Sequence, residues 1–208
     1  MTSPRRVARE LALLSVGQVL RQKQPPSNQD YKTLVLTGIR TLASEAQEAL
    51  EVAGSAVQES HATLLTGELQ AATLSQAQAT VQNAIGLTEK AINRLGIALE
   101  LPEILYLAHQ PEVQAQAVEI LTTLYKNHGE IEERITAALV DWQLDRIAQL
   151  DRYILEIAVA EITYHRLPVQ VAINEAVELS KRYSEEGGHR FINGVLRRVS
   201  DQLKPESK

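Results

Sequence analysis

The chain has 208 residues, 44% of them apolar and 4% aromatic, with no cysteine and a formal net charge of −5. This apolar fraction is that of a globular protein rather than a disordered one. The missing cysteines exclude disulfides, thiolate catalysis and cysteine-based zinc sites, and they suit an intracellular compartment. Ala, Leu, Gln and Glu recur throughout, residues that lose little rotamer freedom in a helix, and no run of alternating β-branched residues appears, so the predicted fold class is all-α.

A first helix is predicted over residues 4–21. Ser3 can cap it, Pro4 suits its first turn, and Val7, Ala8, Leu11, Ala12 and Leu14 recur at helical spacing with Arg5, Arg6 and Arg9 around the exposed edge. The basic-then-apolar start is not read as a signal peptide, because Arg9 and Glu10 flank too short an apolar run. No apolar stretch has membrane-spanning length, and the reading is a cytoplasmic chain with no membrane partner. The paired prolines of KQPPSNQD then break the helix.

A second helix begins near Tyr31 and leads into a long Ala/Gln/Glu-rich region, with a hairpin turn predicted around Gly67. Beyond it Val81, Ile85, Thr88, Ile92, Leu95 and Leu99 alternate steps of four and three, a heptad-like seam. The seam predicts either the packing of one long helix on another within the chain or a partner-binding coiled coil. Charge is uneven here: residues 1–24 carry Arg5, Arg6, Arg9, Arg21 and Lys23 against Glu10 alone, whereas residues 41–88 carry five Glu and no Lys or Arg. A basic terminus on an acidic body is a local field of the kind phosphate binding uses, despite the negative total.

From Glu112 the texture changes. Val113, Ala117, Ile120, Leu121 and Leu124 form one helical face ending near Lys126, where NHGE is predicted to turn the chain. A segment over 131–140 follows, then DWQLDRIAQLDRYILEIAVAEITYH as a central buried helix, a helix opened by Pro168, the SEEGG loop, and a last helix over about 189–203 with Phe191, Val195, Val199 and Leu203 along its inner edge. The organisation predicted is a basic helix at 1–24, a helical region at 25–110 and a bundle at 111–208.

Catalytic and cofactor chemistry finds no support. The five histidines form no metal-ligand spacing, no phosphate-cradling glycine loop occurs, and neither a calcium loop nor a serine nucleophile motif is present. Asp141, Asp145, Asp151, Glu156 and Glu161, with Arg146 and Arg152, suit i,i+4 charge pairing better than a catalytic dyad. No enzyme activity, cofactor or metal is expected. What remains is the arginine cluster and the stretch GGHRFINGVLRRV. Arg5, Arg6 and Arg9 can fork onto phosphates, and Phe191, the one phenylalanine, stands beside His189 and Arg190 where it serves either as a core plug or as a stacking platform for an unpaired base.

The blocks RRVARELAL, DRYILEIAVAEI, VAINEAVELSKRYS and HRFINGVLRRV, in that order and spacing, resemble the NusB family of bacterial transcription antitermination factors over about residues 4–21 and 112–203. The resemblance implies two perpendicular helical bundles, here with a long inserted helical hairpin. It implies binding of the boxA element of nascent ribosomal RNA together with NusE, a ribosomal protein, and indirect association with other Nus factors and RNA polymerase. It also allows a homodimer. It places RNA contacts on Arg5, Arg6, Arg9, His189, Arg190 and Phe191, with Asn193 and Gly194 shaping the helix start, and the partner contact on Asp151 and Arg152. The sequence departs from the family at Gly17, where an aromatic residue is common, at Glu156 and Ala160, which replace a basic and an aromatic residue, and at Gly187, where a carboxylate is common. Two other readings stand beside this one: a detached RNA-binding module resembling that of certain ribosomal RNA cytosine methyltransferases, and a helical protein-interaction scaffold.

Overall fold

The computed structural model describes residues 3–70, 73–140 and 143–203. Among these residues there is no strand, and the helices run α1 Pro4–Leu20, α2 Asn28–Gln70, α3 Leu74–Ala108, α4 Pro111–Ala138, α5 Gln149–Thr163, α6 Val169–Tyr183 and α7 Gly188–Leu203. Two compact units result: Met1–Ile39 with Leu107–Lys208, and Arg40–Tyr106.

In the first unit α1 packs chiefly on α4, α4 on α5, α5 on α6 and α6 on α7, with α7 also against α4 and α5. Val7, Leu11 and Val16 of α1, Ile120, Leu121 and Leu124 of α4, Ile154 and Leu155 of α5 and Ile192 and Leu196 of α7 are essentially inaccessible to solvent. Each such side chain contributes about 1.5–3 kcal/mol relative to exposure. The start of α1 follows the capping expectation: Ser3 has extended backbone, its hydroxyl accepts the Arg6 N–H at 3.2 Å, and Pro4 opens the helix. Ser3→Ala is expected to cost about 0.5–2 kcal/mol in urea unfolding, since it orphans an N–H of the first turn.

Several elements differ from expectation. The predicted turn at NHGE is only a kink, because α4 runs on to Ala138 with Asn127 alone off helical dihedrals, at φ −118° and ψ 20°. The Asn127 side-chain amide donates to the Thr123 carbonyl at 2.9 Å, and Ile131, Ile135 and Ala138 bury themselves as Ile120 and Leu124 do, so the apolar face carries the helix through the break. The central helix begins only at Gln149, after a short 3-10 turn at Leu144–Arg146. Asp141 lies outside the described residues. The buried edge of α7 is Ile192, Val195, Leu196 and Val199, with Phe191 half-buried at its margin.

The second unit is a helical hairpin. Ser60 meets both Ala84 and Thr88, and Gly67 meets Thr80, so the two helices run antiparallel. Gly67 itself is helical, since α2 runs on to Gln70, and α3 begins at Leu74. The predicted heptad seam is not the one the hairpin buries. Its interior is built from Ala49, Ala53, Ala56 and Ser60 against Ala84, Ala91 and Ala98, while Val81, Ile85, Ile92, Leu95 and Leu99 remain 43–79% exposed. Small side chains let two helix axes approach closely, which the larger residues would prevent. The approach is close enough for the Ser60 hydroxyl to donate to the Ala84 carbonyl at 2.9 Å.

Candidate functional site

The three N-terminal arginines have three different surroundings. Arg5 is exposed on the first turn of α1. Arg6, half-buried, grips Glu175 of α6 with two hydrogen bonds, Nε to Oε2 and Nη2 to Oε1, each 3.1 Å. The hydrogen bond to Glu175 pushes the Arg6 pKa above its ordinary value, against the opposing effect of burial, so the group stays charged at any working pH. Arg9 does not lie on the exposed edge. It is only 3% exposed, with Nε 2.7 Å from Glu161 of α5 and Nη1 3.3 Å from Glu175. Helical periodicity turns position 9 inward toward α5 and α6, where two carboxylates compensate the buried charge. Glu10, also buried, receives the Tyr183 hydroxyl and Arg182 of α6. Thus α1 is tied to α5 and α6 by buried charge.

The α7 end is organised by its glycine pair. Gly187 has φ +92°, in the left-handed region that favours glycine. A Cβ on Gly188 would lie 2.7 Å from the Ser184 Cβ and 3.3 Å from both Asp151 Oδ1 and Ser180 Oγ, so α7 starts hard against α6 and α5. A cavity of about 450 Å³ opens there, lined by Arg146, Ile147, Ala148, Asp151, Glu185, Glu186, the two glycines and Phe191. Asp151 Oδ1 is buried on its wall without a hydrogen-bond partner. His189 is half-buried and Arg190 exposed, while the Asn193 side-chain Oδ1 accepts from Arg197 Nε at 3.3 Å.

α6 is the strut between the two ends of the site. Glu175 meets Arg6 and Arg9 midway along it, and Ser180 and the C-cap Ser184 meet Gly188 five and nine residues on. At 1.5 Å per residue these points are roughly 8–14 Å apart along the helix. The structure therefore brings Asp151 to Phe191, although the sequence set it apart as a partner contact.

Arg152 is engaged internally. Its Nε donates to Glu156 Oε1 at 2.9 Å and its Nη2 to Glu132, and His128 lies 3.7 Å from Glu132 and 3.6 Å from Glu156. His128, Glu132 and Glu156 are close enough to surround an ion, but the Arg152 guanidinium already bridges the two carboxylates. At Gly17 a Cβ would lie 2.9 Å from the Tyr153 hydroxyl, so an aromatic ring from α5 occupies the space beside α1.

Sequence reasoning missed Glu175, Glu10 and Tyr183, and it assigned Glu161 to local pairing. A signal existed for Glu161, which lies three and four residues beyond Ala158 and Ile157, on their buried stripe.

The NusB family model matches residues 68–201. The transcription antitermination protein NusB of Microcystis aeruginosa is 49% identical over 205 residues, covering 99% of this chain and 94% of that one. The chain belongs to the NusB family. The NusB proteins of Gloeothece citriformis and of Synechocystis sp. match at 49% and 48% identity, covering 99% and 96% of this chain and 97% and 91% of theirs. Coverage this complete means that the NusB relatives align through the helical hairpin as well as the first unit. A solved structure of T. maritima NusB matches at a TM-score of 0.45 and 29% identity, over 50% of this chain and 78% of that one. No helix among the described residues is long and apolar enough to cross a membrane.

Proposed function

We propose that the chain is an RNA-binding transcription antitermination factor that takes a boxA-type single strand of a nascent ribosomal RNA across the starts of α1 and α7, with NusE as protein partner. The observation that carries the reading is the α7 start: Phe191 half-buried at a cavity of about 450 Å³ whose wall holds an unpaired Asp151 oxygen. An aromatic face beside a hydrogen-bond acceptor suits an unstacked base, and a base edge offers N–H donors to such an oxygen. Arg5 and Arg6 take phosphates, His189 and Arg190 hold the sugar-phosphate backbone near the base, and Asn193 orients Arg197. Arg9 acts at one remove, by fixing the Glu175 that Arg6 also grips.

The partner contact falls on the α5 start, where Asp151 and Arg152 sit, and through it the complex reaches other Nus factors and RNA polymerase. All of this is binding work, and the names of the relatives likewise denote antitermination rather than a reaction.

The test is a salt titration of boxA-like RNA binding, with and without NusE. Binding is expected to weaken as salt rises and to strengthen with the partner. Arg5→Ala with Arg6→Ala should flatten the log–log salt slope by roughly one to two units. An unaltered slope in a folded double variant removes α1 from the RNA face.

A further inference from the structure

Just past the kink at Asn127, α4 carries His128 and Glu132 one turn apart on the same face, and α5 meets that face with Glu156. One ligand atom from each of the three lies within 4.8 Å of the other two, and His128 Nε2 is 3.6 Å from Glu156 Oε1. Glu156 is fully buried, whereas His128 and Glu132 are half-buried, so solvent reaches the cluster past the two α4 residues.

Arg152 satisfies this cluster incompletely. Its Nε donates to Glu156 Oε1 at 2.9 Å and its Nη2 to Glu132, yet Glu156 Oε2 and His128 Nε2 are buried with no hydrogen-bond partner. Two carboxylates also face a single guanidinium. Each unpaired buried atom carries a desolvation penalty, and both belong to residue types whose other common partner is a metal ion.

We propose that His128, Glu132 and Glu156 bind a divalent transition-metal ion, for which the Arg152 guanidinium is an exchangeable substitute. Imidazole with carboxylates suits zinc and its neighbours, whereas magnesium and calcium take oxygen ligands. Tetrahedral ligation at about 2.0–2.1 Å sets neighbouring ligand atoms about 3.4 Å apart, so the three side chains close onto an ion through small rotations. The ion carries the double charge that two carboxylates balance, and it pairs the atoms that the guanidinium leaves unmet. Arg152 is half-buried, so the displaced guanidinium swings into solvent while its stem stays on α5. Histidine spacing alone does not reveal the site, because its other ligands are carboxylates and one comes from another helix. Metal binding here is independent of the RNA and partner readings.

Calorimetric titration of the full chain with zinc tests it, with cobalt(II) absorption as a second readout of the ligand set. One ion per chain is expected, at a dissociation constant of about 10 µM or below, with the visible cobalt bands of a four-coordinate site. His128→Ala and Glu132→Gln, both at half-buried positions, should each weaken binding at least about 100-fold with helix content unchanged, more than the loss of an outer-shell partner does. Arg152→Ala should tighten binding about tenfold, because the site no longer waits for the guanidinium to leave. His61→Ala, at an exposed position of α2, should change nothing. A chain that binds neither zinc nor cobalt(II) at about 1 mM overturns the assignment, as does binding indifferent to His128→Ala and Glu132→Gln. Weaker binding in Arg152→Ala overturns the exchange, since a competing cation cannot assist the ion it competes with.

Discussion

Arg9→Ala is expected to lower the unfolding free energy by about 3–5 kcal/mol, the largest loss available from a single residue outside the apolar core. The guanidinium is buried, and its Nε lies 2.7 Å from Glu161, itself only 4% exposed. Removing it leaves an ionised carboxylate in the interior, and that orphaned charge, more than the lost pair, carries the cost. In thermal unfolding of a chain this size the effect corresponds to a fall of about 10 °C in Tm. Arg9→Met with Glu161→Gln leaves no orphaned charge at that position and should recover a large part of the loss. A single variant within 1 kcal/mol of the wild type would show that Glu161 finds another partner. The same experiment separates Arg9 from Arg5 and Arg6, whose replacement should change RNA binding far more than stability.

The second large effect concerns RNA. Phe191→Ala is expected to weaken boxA-type RNA binding by about 1–3 kcal/mol, roughly 5- to 150-fold, because the stacking surface at the cavity is lost. Since Phe191 is half-buried beside the buried Ile192 and Val195, stability should fall much less than on truncation of a core residue. Phe191→Trp keeps an aromatic face and should retain most of the affinity. The two roles weighed for this residue predict opposite pairs of outcomes. A platform loses affinity and keeps stability, and a core plug does the reverse. Filter binding of the RNA and urea unfolding of the same variant decide between them.

The stretch GGHRFINGVLRRV shows how much of the site was legible. That Gly187–Gly188 precedes a helix with Phe191 in its first turn follows from residue order. That Gly187 adopts a left-handed conformation, and that Gly188 is squeezed between Ser184 and Asp151, depends on α5 and α6 arriving at the same point. Asp151 shows the same limit. Its place at the start of α5 was readable, its position on the wall of the Phe191 cavity was not, because the two residues are forty apart in sequence and meet only through packing. The arginine cluster was read as one exposed group, and packing divided it into an exposed member, a half-buried one and a buried one.

Helix content, the caps and breaks at Ser3, Pro4, the paired prolines and Pro168, and the family itself were determined by the sequence alone, since propensity, capping and i,i+3/i+4 periodicity act between near neighbours. The tertiary structure alone decided which of two equally regular faces the hairpin buries and which carboxylate each arginine meets. In α3 the alanine face and the isoleucine–leucine face repeat with the same period, and periodicity cannot rank them. The ranking comes from how closely another helix can approach, and that is a property of the pair.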